Sequence, residues 1–412
     1  MLKKAATLCL SSLLLASTLP ADEGRVPSAV PHLDHVFVIM MENHAYKQII
    51  DNPNEPFVNQ YAHSANLATN YFAVAHPSLT NYLEIVGGSN FGILNDNDPG
   101  WHNTSCTTQL ALGTPMFDVA PFPPICPIDG TGTDAATPAI DFTNEASSPA
   151  GINNIDGHVS IPAAKNTIAK TIADQLVAAG LAWKSYQENL PPTGADKIDY
   201  SDGFFSNILA PTSVMPKEKQ GVIKQYAAKH NPFVYFRNVQ ESGLSHIVDF
   251  EGAHGLFGDL SSGHVPAFSF IAPNQCNDQH GRGNAGPACD YDPTSDGSQN
   301  GLNPALIYQG DLTVRNLVKS IKSSPVWEEG RNAIVLVWDE NDYSNVPNTN
   351  QVVLIVDTNY GVHGVKSANF YTHFSLLKSL EAGFGLPCLN HACDESTKVM
   401  SDLFGAGDHE KE

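Results

Sequence analysis

Ser78 occupies a position where a serine can act as a nucleophile. It follows His76-Pro77 and begins an apolar-periodic segment that closes at Gly87-Gly88, which predicts a helix starting at the serine. Backbone N–H groups at a helix N-terminus favour a bound anion. A serine hydroxyl is a poor nucleophile by itself and needs a base or a metal ion to activate it. Serine also caps helices for structural reasons, so position alone leaves both interpretations open.

Two apolar runs in the sequence end abruptly in acids and amides. One run ends at Met41 and the other at Trp338. Such runs are typical of strands buried on both faces of a parallel sheet, and ligands bind at the carboxyl edge of such sheets. If the two strands are parallel neighbours, the side chains that follow them form a site of hard oxygen ligands for a divalent cation. These side chains are Glu42, Asn43, Asp339 and Glu340. Each pair alone could equally cap the next helix.

Several of the sixteen histidines stand in polar contexts. His280 lies with Asp278 just after an apolar run, and His363 and His373 come near the end of the chain. Each histidine could bind a metal ion, contact phosphate or protonate a leaving group. A lone histidine in a loop is more often simply solvated, so residue type does not choose among these roles.

These residues need a scaffold, and the alternation of strand and helix patterns predicts an α/β fold. We expect one domain over residues 22–412, with a mostly parallel central sheet flanked by helices and with long loop insertions. The predicted strands cover residues 35–41, 67–75, 181–186, 265–271, 332–338 and 351–356. The predicted helices cover residues 56–64, 78–86, 167–179, 311–323 and 374–384. The stretches 90–160 and 274–304 are rich in Asn, Asp and Gly, which predicts irregular loops.

The first 21 residues predict a secretory signal peptide. Lys3-Lys4 supplies a short positive start, an apolar run follows, and Ala21 is a small residue before a plausible cut. The run is shorter and more interrupted than a membrane span requires. We therefore expect a secreted or periplasmic protein with no integral membrane segment after the leader.

Six cysteines remain after the leader, and an even number in an exported protein indicates disulfides. The simplest arrangement pairs neighbours along the chain, while other connectivities stay open. The expected pairs are Cys106–Cys126, Cys276–Cys289 and Cys388–Cys393.

The net charge of −21 limits the partners of this protein. Such a chain repels nucleic-acid backbones and anionic membrane surfaces at long range. We therefore expect no nucleic-acid partner. A phosphate could still bind locally if a cation assists.

Six segments, in this order, resemble the bacterial and fungal phosphoesterase family of the alkaline-phosphatase-like superfamily. They are VIMMENHAY, HPSLTNYLEIVGG, FSFIAPNQCNDQHG, QGD, VLVWDENDYS and YTHFSLLKSLEAGFGL. The likeness runs from about residue 35 to residue 390 and is weakest over the insertion. That family holds secreted acid phosphatases, a phosphatidylinositol 3-phosphatase-like group and phospholipases C. Thr80 departs from the family pattern, which usually has proline there.

The resemblance implies metal-assisted hydrolysis of phosphomonoesters through a phosphoserine intermediate. The substrate class it implies is a small phosphoester or a phosphoinositide or phospholipid headgroup. A phospholipase C or another phosphodiesterase is the alternative, and a non-catalytic exported binding protein is a more remote one.

The resemblance also implies roles for single residues. Ser78 is the nucleophile. The residues implied to bind the metal ion are Glu42, Asn43, Ser78, Asp339 and Glu340. The residues implied to protonate the leaving group are His280, His373 or Asp278, and those implied to contact phosphate are His76, Asn81 and His363. A second metal ion would lie near Asn274 and Asp278. One ion is favoured, because Asn274 is an amide where the relatives with two ions have a carboxylate.

Overall fold

The structure is a computed structural model. It describes residues 23–103, 124–135, 161–164, 166–191, 225–282, 285–293, 299–341 and 350–405, and the backbone of 205–207 and 210–214. The predicted signal peptide, Cys106 and most of the predicted insertion lie outside the described residues.

The described strands, in chain order, are β1 His35–Met41, β2 Asn66–Ala68, β3 Tyr71–Phe72, β4 Thr131–Gly132, β5 Thr167–Ile168, β6 Trp183–Gln187, β7 Phe205–Asn207, β8 Ala210–Val214, β9 Ile247–Val248, β10 Phe268–Ala272, β11 Asn332–Trp338, β12 Leu354–Thr358, β13 Lys366–Ser367 and β14 Tyr371–Thr372. The described α-helices are α1 Tyr46–Ile49, α2 Pro56–Ser64, α3 Ser78–Gly87, α4 Ile172–Ala178, α5 Leu256–Ser262, α6 Pro304–Lys322 and α7 His373–Phe384.

Eight of these strands form one sheet in the order β13-β2-β12-β11-β1-β10-β6-β9. β1 lies between β11 and β10 and is parallel to both, and β6 and β9 continue the parallel arrangement. β12 runs antiparallel to both of its neighbours. Every residue of β11 is buried, and so are six of the seven residues of β1, as expected for central strands covered on both faces. The predicted mostly parallel α/β fold is confirmed.

Two predicted helices have the wrong start. The helix predicted from residue 311 begins at Pro304, because the Asn303 side chain caps it by accepting from the N–H groups of Ala305 and Leu306. The helix predicted from residue 167 begins at Ile172. The short strand β5 comes before it and pairs with β4.

Two predicted strands also differ from the structure. The strand predicted over residues 67–75 is divided into β2 and β3, and the strand predicted over 351–356 lies at β12.

The helix predicted over 78–86 is confirmed as α3, which ends at Gly88 with a φ of 70°. That left-handed conformation is one that glycine adopts without strain.

The described buried apolar residues form one main core that extends from Leu33 to Phe404 around β1 and β11. Disulfides join Cys276 to Cys289 and Cys388 to Cys393, with Cα–Cα distances of 5.0 and 5.2 Å, as predicted. Cys126 is also disulfide-bonded. No helix in the described part of the chain has both the length and the apolar character to cross a membrane.

Candidate active site

The two strands that are followed by acidic residues, β1 and β11, are parallel neighbours, as expected from the sequence. Met41 pairs with Trp338 in register, so Glu42 and Asp339 leave the sheet side by side at the same edge. The Asp339 N–H donates to the Met41 carbonyl over 2.9 Å. Both acidic side chains are fully buried. The sheet therefore places the carboxylates of Glu42 and Asp339 next to each other.

Ser78 joins these carboxylates from the first turn of α3. Its Oγ lies 3.2 Å from Glu42 Oε2 and 3.1 Å from Glu340 Oε1, and its single hydrogen can be donated to either oxygen. The side chain is only 1% exposed. The structure thus brings the predicted nucleophile into contact with two of the predicted metal ligands.

His76 and Asn81 lie behind Glu340 and hold it in place. His76 Nδ1 is 2.8 Å from Glu340 Oε2, and Asn81 Nδ2 donates to the same oxygen over 3.2 Å. The Asn81 amide also donates to the Ala75 carbonyl and accepts from the N–H groups of Val74 and Ala75. These four hydrogen bonds use its full capacity. The predicted phosphate contact from Asn81 is therefore wrong, and both residues position Glu340.

Asn43 reaches the site through its backbone. Its N–H donates to Asp339 Oδ1 over 3.1 Å, and its φ is 51°. This turn directly follows β1 and keeps the Asp339 carboxylate beside the edge of the sheet. The half-buried side chain of Asn43 lies at that edge.

His373 is fully buried at the start of α7. Its Nε2 donates to the Asp339 carbonyl over 2.6 Å, and its Nδ1 accepts from the Tyr71 hydroxyl over 2.7 Å. Burial lowers the pKa of His373 to about 4, so the ring is neutral at higher pH. Because both nitrogens are engaged within the protein, His373 is placed to position Asp339. The structure does not place it as a proton donor.

The structure does not bring His363 to Ser78. His363 is exposed, and its Nδ1 is 4.0 Å from Asp357 Oδ1. Asp357 is paired with Ile334 near the start of β11, because β12 runs antiparallel to β11. His363 therefore lies toward the opposite edge of the sheet, away from the carboxyl end that carries Asp339, and its predicted place in the phosphate pocket is wrong.

A second group of side chains adjoins Glu42. His230 Nδ1 is 3.2 Å from Asp278 Oδ2, and His230 Nε2 is 3.3 Å from Glu42 Oε1. The Asp278 carboxylate also accepts from the His280 N–H over 2.8 Å. Glu42, His230 and His280 each present a ligand atom, and these atoms lie within 4.8 Å of one another. The spacing could hold a metal ion.

Asn274 shapes the loop that carries Asp278. Its Oδ1 accepts from the N–H groups of Cys276 and Asn277, over 3.0 and 3.1 Å, and its amide donates to Asn189 Oδ1 over 2.7 Å. The side-chain oxygen that a metal ion would need is therefore occupied by the backbone. Asn274 does not fit the role of a second-metal ligand.

The buried acids give the site an excess of negative charge that a cation would balance. Burial raises the pKa of Glu42 and of Asp278 well above ordinary values, and repulsion from the Asp339 carboxylate adds to both shifts. Burial also raises the pKa of Asp339. Glu340 is a fourth buried acid in the same cluster. Buried carboxylates need compensating charge, and this set of carboxylate, hydroxyl and imidazole ligands fits a divalent metal ion.

Sequence reasoning missed His230 and Tyr82. The Tyr82 hydroxyl donates to Glu42 Oε1, and its ring stacks on His230 with 5.4 Å between centroids. Tyr82 is four residues after Ser78 on the same face of α3, so helical spacing could have found it. His230 ends a short 3₁₀ turn, and the described residues 225–227 just before that turn form no strand, so the sheet-edge rule does not point to it.

Comparison with protein families gives one match over most of the chain. A family model described as the Phosphoesterase family matches residues 48–387.

Two curated relatives are similar along much of the sequence. The phosphatidylinositol-3-phosphatase of Mycobacterium tuberculosis is 23% identical over 408 residues, which cover 97% of this chain and 94% of that protein. The acid phosphatase of Aspergillus fumigatus is 24% identical over 356 residues, which cover 86% of this chain and 55% of the fungal protein. The chain thus spans about half the length of the fungal relative that it matches.

Among solved structures, a protein in the alkaline phosphatase superfamily from Vibrio parahaemolyticus aligns with 90% of this chain and 72% of its own. The TM-score is 0.44 and the sequence identity is 9%.

Proposed function

Because the chain belongs to the phosphoesterase family and is a hydrolase of phosphoric esters, we propose that it hydrolyses phosphomonoesters by nucleophilic attack from Ser78. The observation that carries this proposal is the position of Ser78 Oγ, which lies between the carboxylates of Glu42 and Glu340 at the N-terminus of α3.

In the first half-reaction, Ser78 Oγ bonds to phosphorus as the bond from phosphorus to the leaving alcohol breaks. The hydroxyl proton passes to Glu340, whose Oε1 is the closer carboxylate oxygen and whose other oxygen is held by His76 and Asn81. A general base fixed in this way raises the reactivity of serine. The product of this step is a phosphoserine.

His280 is the best-placed donor of a proton to the leaving oxygen. Its Nδ1 donates to the Gly281 carbonyl over 2.8 Å, and its Nε2 lies 3.1 Å from the Lys229 ammonium, so the proton that Nε2 transfers is one it shares with Lys229. In the second half-reaction, a water molecule attacks the phosphoserine and gives its proton back to His280. The serine oxygen recovers its own proton from Glu340, which returns both groups to their starting states.

A divalent metal ion would be held by Glu42, Asp339 and Ser78, with Asn43 beside them, whereas Glu340, also predicted as a ligand, takes the serine proton. When bound, such an ion stabilises negative charge on the attacking oxygen and on the phosphate oxygens. The group formed by Glu42, Asp278, His230 and His280 is where a further ion would fit.

The relatives support the substrate class. One is named for phosphatidylinositol-3-phosphate hydrolysis and the other is an acid phosphatase, so a small phosphoester or a phosphoinositide headgroup is the proposed substrate. The predicted leader and the disulfides support a secreted or periplasmic location.

The test compares two buried serines. Ser78→Ala should lower kcat for p-nitrophenyl phosphate at least ~10³-fold, because the nucleophile is lost. Ser89→Ala is the matched control, since Ser89 Oγ lies 3.2 Å from Asp134 in a different cluster. Elemental analysis of the purified protein identifies the metal. Full activity in Ser78→Ala would refute the mechanism, and cleavage of bis-p-nitrophenyl phosphate without monoester turnover would show a phosphodiesterase.

A further inference from the structure

Asp96 links two groups that are suited to binding phosphate. Its Oδ1 accepts from the N–H of Leu79 over 3.0 Å, and its Oδ2 lies 2.9 Å from Lys229 Nζ. Leu79 directly follows the nucleophile, so this amide belongs to the helix N-terminus beside Ser78. The same ammonium group is 3.1 Å from Nε2 of His280. One carboxylate therefore spans an amide donor and a cation of the active site.

Lys229 acts electrostatically on the catalytic cluster. Its positive charge lowers the pKa of both Glu42 and Asp278, against the larger effect of burial. The chain carries only 22 Lys and Arg residues against 43 Asp and Glu, and Lys229 places one of these cations beside the acidic site. The ammonium is the kind of group that a phosphate dianion needs.

The pair lies on the more accessible side of the cluster. The Lys229 side chain is 10% exposed and that of Asp96 is 17% exposed, whereas Ser78 is 1% exposed. A partly desolvated ion pair of this kind can exchange one anion for another without leaving the lysine unpaired. The ion pair is therefore more accessible to solvent than the nucleophile is.

We propose that Asp96 is an internal counter-anion that the substrate phosphate displaces, and that Lys229 then binds a terminal phosphate oxygen and confers preference for monoesters. This inference rests on the proposed function at Ser78. In this proposal Lys229 is a catalytic residue, and the Asp96 carboxylate competes with the substrate phosphate for the position beside it.

The charge of the substrate explains the selectivity. A phosphomonoester offers three non-bridging oxygens and up to two negative charges, whereas a diester offers two such oxygens and one charge. When Asp96 is displaced, the Lys229 ammonium and the Leu79 N–H lose their negatively charged partner. A monoester dianion restores that charge and still has an oxygen for the catalytic cluster, and a diester monoanion compensates less well.

Two variants test the proposal with inorganic phosphate as the probe. Asp96→Asn keeps the shape of the side chain and removes its charge, so the inhibition constant of phosphate should fall about tenfold. Calorimetric titration of phosphate into a Ser78→Ala, Asp96→Asn double variant should show the same gain over Ser78→Ala alone. An unchanged or higher constant would mean that Asp96 only positions Lys229, and would overturn the proposal.

Lys229→Met tests the selectivity. The value of kcat/KM for p-nitrophenyl phosphate should fall ~100-fold, and that for bis-p-nitrophenyl phosphate less than about fivefold. Lys229→Arg keeps the charge and should recover part of the monoester activity. Lys170→Met is the control, because Lys170 forms an exposed pair with Glu23. Equal losses on both substrates would refute Lys229 as the selectivity residue.

These outcomes separate the two proposals. Activity that survives in Ser78→Ala refutes the proposed function whatever Asp96 does. Activity that requires Ser78, combined with unchanged phosphate inhibition in Asp96→Asn, refutes only the role of Asp96 and Lys229. Thermal unfolding of each variant shows whether a loss comes from misfolding.

Discussion

Two largely buried clusters in this protein combine carboxylates with histidine, and they differ in how their charge is balanced. In the first, called here the His391 cluster, His391 Nε2 is 2.8 Å from Asp134 Oδ2 and Nδ1 is 2.6 Å from Asp394 Oδ2. It ties the described segment 124–135 to residues 391–394. The second, the Ser78 cluster, contains four buried acids at the nucleophile or next to the acids that contact it: Glu42, Asp278, Asp339 and Glu340.

The pKa shifts show the difference. Burial by itself would lower the pKa of His391, but hydrogen bonds and attraction from Asp134 and Asp394 raise it to about 10, so the ring carries a compensating positive charge. In the Ser78 cluster, burial and mutual repulsion raise the pKa of Glu42 instead. A cluster that supplies its own cation stabilises the fold. A cluster in which four acids face the Lys229 ammonium keeps excess negative charge, so it is suited to binding a further cation and an anionic substrate.

The largest difference between the clusters should appear when one aspartate is neutralised. Asp339→Asn should lower kcat/KM for p-nitrophenyl phosphate at least ~10³-fold, because a central carboxylate of the proposed metal site is lost. Asp394→Asn, the matched change in the His391 cluster, should keep activity within about twofold, because it touches no reacting group. Steady-state kinetics checks both. Comparable losses in the two variants would contradict the assignment of roles.

Metal removal should separate the clusters next. Dialysis against a chelator should abolish activity reversibly and lower Tm by about 3 °C, because an ion that binds only the folded state stabilises it. Asp394→Asn should respond as the wild type does, and Asp339→Asn should lose no further stability. Calorimetry with and without chelator measures this. Full activity after complete metal removal would mean that the acids balance their charge without an ion.

The His391 cluster should determine how stability depends on pH. The pKa of His391 is about 10 in the folded protein and 6.5 for an ordinary histidine. The stabilisation by protonated His391 is therefore complete below pH 6.5 and is lost as the pH rises through 10. His391→Gln should therefore lower the free energy of unfolding by ~2 kcal/mol at pH 6 and by little at pH 10. The value at pH 6 is reduced because solvent screens the half-exposed Asp394. Urea unfolding of both proteins across this range gives the difference. A cost that is independent of pH would show that His391 is neutral.

The smallest effect concerns the support of Asp339. Tyr71→Phe removes the hydroxyl that donates to His373 and should reduce kcat only about threefold, with a loss of ~1 kcal/mol in stability. The pH–activity profile should keep its shape above pH 5, because the pKa of His373 is about 4 and the ring is already neutral there. A shifted profile would assign His373 to proton transfer after all.

The main features of the fold and part of the site could be predicted because they depend on local patterns. Apolar runs fix where strands end, so Glu42 and Asp339 could be placed at one sheet edge. Helical spacing places Ser78 at the start of α3, and short loops make the pairs Cys276–Cys289 and Cys388–Cys393 the simplest disulfides. Helix starts were less predictable, because the Asn303 cap overrides the periodic signal.

Only the tertiary structure decided which polar residues meet around Ser78. Asp96, Lys229 and His230 come from irregular segments whose positions depend on long-range packing, and no periodicity marks them. Tertiary packing also turns His76 and Asn81 toward Glu340 and leaves His363 near the opposite edge of the sheet. The sequence alone determined that a serine and acids are available for phosphoester chemistry. Charge balance, which depends on burial and on distances between remote segments, decided which acids form the site.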